Sequence, residues 1–157
     1  MKDYDIRIKN STEVNLFGTT DNTITVPANV KLDSDLNRLD IDIKNQDTVK
    51  ICLPNKAEKV ELNITDSKLN IRDVSYDEFE IDGKGKITID IRNVSGPIDI
   101  NMIGGEAELI VHEGYSFRTV CKGKNNSINS NIPEDNGSLN VIELNGKDTV
   151  LNITLAE

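Results

Sequence analysis

The chain has 157 residues, 27 acidic against 18 basic side chains for a formal charge of -9, one His, two Cys and no Trp. That length makes one domain with room for a sizeable core, and its 43 Ile, Val and Leu residues lie above the level at which disorder is expected. The charge excludes nucleic acid and anionic lipid as main partners, since both repel an acidic protein. The scarcity of His and Cys removes most metal and redox chemistry.

From the first residues the pattern has a period of two, the strand signature. Tyr4, Ile6 and Ile8 alternate with Asp5, Arg7 and Lys9. A secretory signal needs an unbroken apolar stretch of roughly 7–15 residues and a membrane helix about 20, whereas the longest apolar runs here resemble Leu109-Ile110-Val111. No export signal or membrane span is therefore expected in this chain, and its localisation is left open. Alternation continues through Ile24 and Val26, Val30 and Leu32, then Leu39, Ile41 and Ile43. It runs on through Val49 to Leu53, Val60 to Ile64, Leu69 and Ile71, Phe79 and Ile81, and Ile87 to Ile91. Ile98 to Met102, Ala107 to Val111, Leu139 and Val141, and Leu151 to Leu155 complete it. No segment has helical spacing, and Ala, the best helix former, occurs four times. Clean alternation predicts strands with one buried and one wet face. Asp82-Gly83, Gly104-Gly105, Asn136-Gly137 and Asn145-Gly146 are expected at turns needing positive φ.

A weak repeat selects the architecture. Leu69-Asn-Ile-Arg-Asp-Val-Ser75 recurs 20 residues later as Ile89-Asp-Ile-Arg-Asn-Val-Ser95, with a looser third copy at Leu39–Asn45. About 20 residues carrying two strands suit one coil of a stacked β-roll or β-solenoid. The expectation is an all-β, single-domain β-roll over 1–157. Within it, 1–35 is an atypical N-terminal part, 36–114 the repeat coils and 115–157 the C-terminal coils.

Three further elements carry a family resemblance: the turn Val94-Ser95-Gly96, the segment Gly114-Tyr-Ser-Phe117 leading to Ser127-Ile-Asn-Ser-Asn-Ile-Pro133, and terminal strands around Asn145-Gly146. Over roughly 36–157 the chain resembles the adhesin-like β-roll domain of low-GC Gram-positive bacteria, a domain of unknown function often labelled "putative adhesin". The resemblance implies a β-roll or β-solenoid at the cell envelope, without enzymatic activity and without catalytic residues to carry over.

Candidate chemistry is sparse. Aligning Glu80–Ile91 with an EF-hand loop places Lys84 and Ile91 at ligand positions, which a calcium loop does not tolerate. Asp40, Asp42, Asp90, Asp99, Glu80 and Asp82 fall on the outward phase. If coils stack in register, several line one face, where they could attract Ca²⁺ weakly or work as a carboxylate pair on a sugar. Lys44, Arg72, Lys84 and Arg92 between them suggest ordinary cross-strand pairing. Asp40, Asp42, Asp90 and Asp99, with Tyr76 and Tyr115 near turns, make up the candidate binding surface. His112 has no nucleophile-elbow serine in context, and Cys52 and Cys121 have no CxxC or zinc spacing. No cofactor or metal is expected, and the chain is not expected to be an enzyme.

The leading function is a non-catalytic, envelope-associated adhesin-like module, binding itself or an envelope protein through exposed strand edges. The alternatives are a ligand-sensing domain of an envelope-stress system and a small carbohydrate-active β-helix enzyme.

Overall fold

The computed structural model describes residues 3–9, 11–21, 23–28 and 30–157. Among them the secondary structure is all β, in fifteen strands. The first eight are β1 (Asp3–Lys9), β2 (Glu13–Thr19), β3 (Lys31–Ser34), β4 (Arg38–Lys44), β5 (Thr48–Pro54), β6 (Ala57–Thr65), β7 (Lys68–Arg72) and β8 (Tyr76–Lys84). The rest are β9 (Lys86–Arg92), β10 (Ile98–Ile103), β11 (Glu106–Val111), β12 (Arg118–Lys124), β13 (Ser127–Ser130), β14 (Val141–Lys147) and β15 (Val150–Leu155).

Apart from β3, the chain alternates between two sheets, one strand in each. The larger sheet has the order β12-β14-β10-β8-β6-β1-β4-β3, the smaller β13-β15-β11-β9-β7-β2-β5. Every pairing between named strands is parallel except β3 with β4. Strand residues of one phase meet between the sheets: Ile6, Leu16, Ile51, Leu62, Ile81, Ile89, Ile100, Leu109, Leu144 and Leu151 have no exposed surface. Most strands hide one face only, which is why the sequence alternates although the ladders are parallel.

The 20-residue repeat is real in space: Leu69 pairs with Ile89, Ile71 with Ile91 and Arg72 with Arg92. Its third copy is not equivalent, because Leu39–Asn45 covers β4 in the larger sheet whereas β7 and β9 lie in the smaller. What the three segments share is a strand followed by a left-handed residue: Asn45, Asp73 and Asn93 have φ of 58°, 57° and 53°. All six non-glycine residues with positive φ among those described are Asn or Asp, the side chains that best tolerate this region. Corners from the larger to the smaller sheet use Asn45, Asp66, Gly85, Gly105, Asn125 and Asp148 in this way.

Two expected turns are corrected. Asp82-Gly83 lies within β8 and Asn145-Gly146 within β14, and the corners fall at Gly85 and Asp148. Gly146 is needed for close approach, since a Cβ there would lie 2.0 Å from the Met102 carbonyl oxygen. Leu139, expected in a strand, precedes β14 and is 87% exposed. Val26 and Val30 also lie outside strands. Thr25 makes only an isolated antiparallel bridge to Cys52.

Spatial order also departs from chain order. The pair β1/β2 sits between β4/β5 and β6/β7, and β14/β15 sits between β10/β11 and β12/β13. Strands near both chain ends thus have neighbours on both sides. Buried corner hydroxyls join successive layers: Ser67 donates to the Ser11 carbonyl at 2.7 Å, and Thr149 to the Met102 and Gly104 carbonyls at 3.3 and 3.2 Å.

Gly146→Ala is expected to cost about 3 kcal/mol or more, because a carbonyl of the ladder must move. Gly137→Ala, whose nearest neighbour would be Asp135 Oδ1 at 3.5 Å, should stay within about 0.5 kcal/mol. Urea unfolding of both variants measures the difference.

Candidate functional site

Parallel registry places like on like, and on the outer face of the larger sheet it aligns acids. Asp33, Asp40, Asp5, Glu61, Glu80, Asp99 and Glu143 are direct cross-strand partners in succession across β3, β4, β1, β6, β8, β10 and β14. Neighbouring strands are about 4.8 Å apart, so these carboxylates repel unless bridged. Cations from both flanking rows supply bridges. Arg38 donates to Asp5 at 2.5 Å and to Asp40 at 2.7 Å, and Lys59 lies 2.7 Å from Glu61 and 3.8 Å from Glu80 on one side, while Lys122 lies 2.7 Å from Glu143 on the other. Amides in the row of Lys122 donate too: Asn101 to Glu80 at 2.8 Å and Asn145 to Glu143 at 3.0 Å.

The row's middle is the least compensated part. Burial, then the Glu143 charge, raises the Asp99 carboxyl above the usual range. Burial, then Asp82 and Glu61, does the same to Glu80. Glu143 is lowered, first by hydrogen bonding from Lys122 and then from Asn145. Asp99 and Glu143, direct partners across β10 and β14, are thus pushed in opposite directions.

The expected binding surface is thereby divided. Asp40 and Asp99 are in the row, and Asp42 is in the adjacent one, opposite Arg7. Asp90 belongs to the other sheet. There its Oδ1 accepts from Arg72 at 2.9 Å and pairs with His112 Nε2 at 2.8 Å. Burial favours the neutral form of Asp90, but the hydrogen bonds from Arg72 and His112 outweigh it and hold its carboxyl low. An anionic Asp90 requires the proton of a neutral His112 to sit on Nε2.

The tyrosines are also corrected. Tyr76 is 5% exposed, packed edge-on against Phe79 at 5.0 Å, with its hydroxyl donating to the Gly96 carbonyl at 3.4 Å. It fills the core at a corner and presents no surface patch. Tyr115 stacks on Phe117 at 5.9 Å and lines a groove of about 460 Å³ with Arg92, Ser95, His112, Ser116 and Asn140. Cys52 is buried in β5 and Cys121 exposed in β12, both free and in different sheets.

Sequence reasoning missed Asp5, Asp33, Glu61 and Glu143, although for all but Asp33 a signal was present. Each large-sheet strand of the row except β3 carries apolar–acid–Ile/Leu–polar: Tyr4-Asp-Ile-Arg7, Leu39-Asp-Ile-Asp42, Val60-Glu-Leu-Asn63, Phe79-Glu-Ile-Asp82, Ile98-Asp-Ile-Asn101 and Ile142-Glu-Leu-Asn145.

No family model and no curated protein matches the chain. Among solved structures, the crystal structure of "a putative cell adhesion protein from Clostridium sporogenes ATCC 15579" is similar over 99% of this chain and 93% of that one, with a TM-score of 0.59 and 14% identity. At that identity the likeness is one of fold.

The two aspartates should respond oppositely to neutralisation. A raised folded pKa gives stability below the unfolded value that is lost as pH rises through the folded one. Asp99→Asn should therefore stabilise at pH 7, by up to about 1 kcal/mol, with the gain gone near pH 3.5. Asp90, lowered on folding, stabilises above its unfolded pKa. Asp90→Asn should cost about 1–2 kcal/mol at pH 7 and progressively less as the solution is acidified. Thermal melts across that range test both signs.

Proposed function

We propose that the protein is a non-catalytic, adhesin-like binding module, a β-roll of stacked two-strand coils whose contact surface is the acid row of the larger sheet. The row is the observation that carries this reading: a regular seven-carboxylate array across a broad sheet complements a cationic, repetitive partner. The fold-level likeness to a protein named for cell adhesion supports an envelope setting. The β-roll description rests on the alternation of strands between two parallel ladders and on the 20-residue offset of β7 and β9.

The outermost strands β3, β12 and β13 each pair with one strand only, as does β5 apart from its bridge to Thr25, and they offer edges to a second copy or to an envelope protein. Binding to isolated cell-envelope fractions, followed by biolayer interferometry, tests the main reading. The triple variant Glu61→Gln, Glu80→Gln, Asp99→Asn should bind at least tenfold more weakly, and binding by the parent protein should fall as salt rises through about 0.15 M. Equal binding by parent and triple variant, or none by the parent, would overturn it. Light scattering should show whether the edges join copies.

A further inference from the structure

The groove on the opposite flank has a composition that the acid row does not explain. It forms where strands of the smaller sheet turn back toward the larger one, between residues 93–95, 112–116 and Asn140, and encloses about 460 Å³. That is within the range of small-molecule sites.

Its cation is Arg92. Arg7 approaches Asp5, Arg38 bridges Asp5 and Asp40, Arg72 holds Asp90, and Arg118 donates to the Ser138 carbonyl. Arg92 makes its side-chain contacts to an imidazole instead. One terminal nitrogen lies 3.2 Å from His112 Nδ1 and 3.5 Å from Nε2. Near-equal distances to both ring nitrogens place the guanidinium over the face of the ring, out of line with the Nδ1 lone pair. Most of its N–H donors are left for another acceptor. Below, Asp90 anchors the ring through Nε2, so Nδ1 of neutral His112 is an acceptor at the same wall. The Tyr115 hydroxyl is buried without a partner, and Glu113 stands at the rim.

We propose that this groove is a binding site for a small carboxylate-bearing sugar, with Arg92 receiving the carboxylate and His112 positioned by Asp90 to accept a hydroxyl. A guanidinium fork matches a carboxylate in two parallel hydrogen bonds. A neutral imidazole nitrogen takes the donor that a hydroxyl offers.

NMR titration of the intact protein with glucuronate, glucose and acetate tests the proposal. Glucuronate at millimolar concentration should shift the signals of Arg92, His112, Gly114 and Tyr115 at pH 7.5. Acetate should shift them at least tenfold more weakly at that pH, and glucose not at all. Arg92→Ala should weaken glucuronate binding at least tenfold, and Arg92→Lys should recover little of it. No shift up to 20 mM glucuronate, or Arg92→Ala binding like the parent, would overturn the site. Since Arg92 is exposed at a strand end, its variants test the groove without the burden of a core change. Equal affinity for acetate and glucuronate at pH 7.5 would overturn the sugar assignment. The groove and the row lie on different sheets, so failure here leaves the envelope-binding reading to its own test.

Discussion

Registered parallel pairing is the constraint from which the rest of the molecule follows. Parallel strands set residues of equal phase side by side, layer after layer. Inside, this stacks Leu16 between Ile51 and Ile71 and Ile81 between Leu62 and Ile100, a core of branched aliphatics that pack well on a pleated surface. Outside, the same registry stacks Glu61 on Glu80 and Glu80 on Asp99. Cohesion within and charge repulsion without are two consequences of one geometry.

The corners make that registry affordable. A strand must leave one sheet and enter the other within a few residues, and a left-handed residue does this in the least chain. Asn and Asp do so at modest strain and also bond between layers. Asn93 donates to Asp73 Oδ1 at 2.9 Å, and Asn125 donates to Asp148 Oδ1 at 3.0 Å. With Ser67 and Thr149 bonded to corner carbonyls, backbone groups that would be orphaned at the turns find partners. The corners therefore fix the layer spacing as firmly as the core does.

The two faces manage their polar residues differently. On the larger sheet, Arg38, Lys59 and Lys122 bridge a row that remains acidic, with the Asp99 carboxyl raised by burial and then by Glu143. On the smaller sheet, amides take much of the stacking: the buried Asn70 donates to Glu13 at 2.7 Å and to Asn15 at 2.8 Å. There Arg72, Asp90, His112 and Arg92 are joined side chain to side chain. One face is thus an extended array and the other carries a compact site.

The sequence by itself determined most of the strands with their buried phase, β2 excepted, and the 20-residue offset of Leu69 and Ile89, because alternation is a local signal. It also placed Asp40 and Asp99 on a wet face and kept Cys52 apart from Cys121. It could not say which sheet a strand enters, since both have the same inward alternation, and so Asp90 was grouped with acids that lie on the other side. Nor could it show that Asp5 falls between Asp40 and Glu61, because β1/β2 enters the stack out of chain order. The acid row, the corner burial of Tyr76 and the meeting of Arg92 with His112 were decided only by tertiary structure. Each depends on pairing between segments distant in the chain, and those partners are chosen by packing and registry over the whole stack.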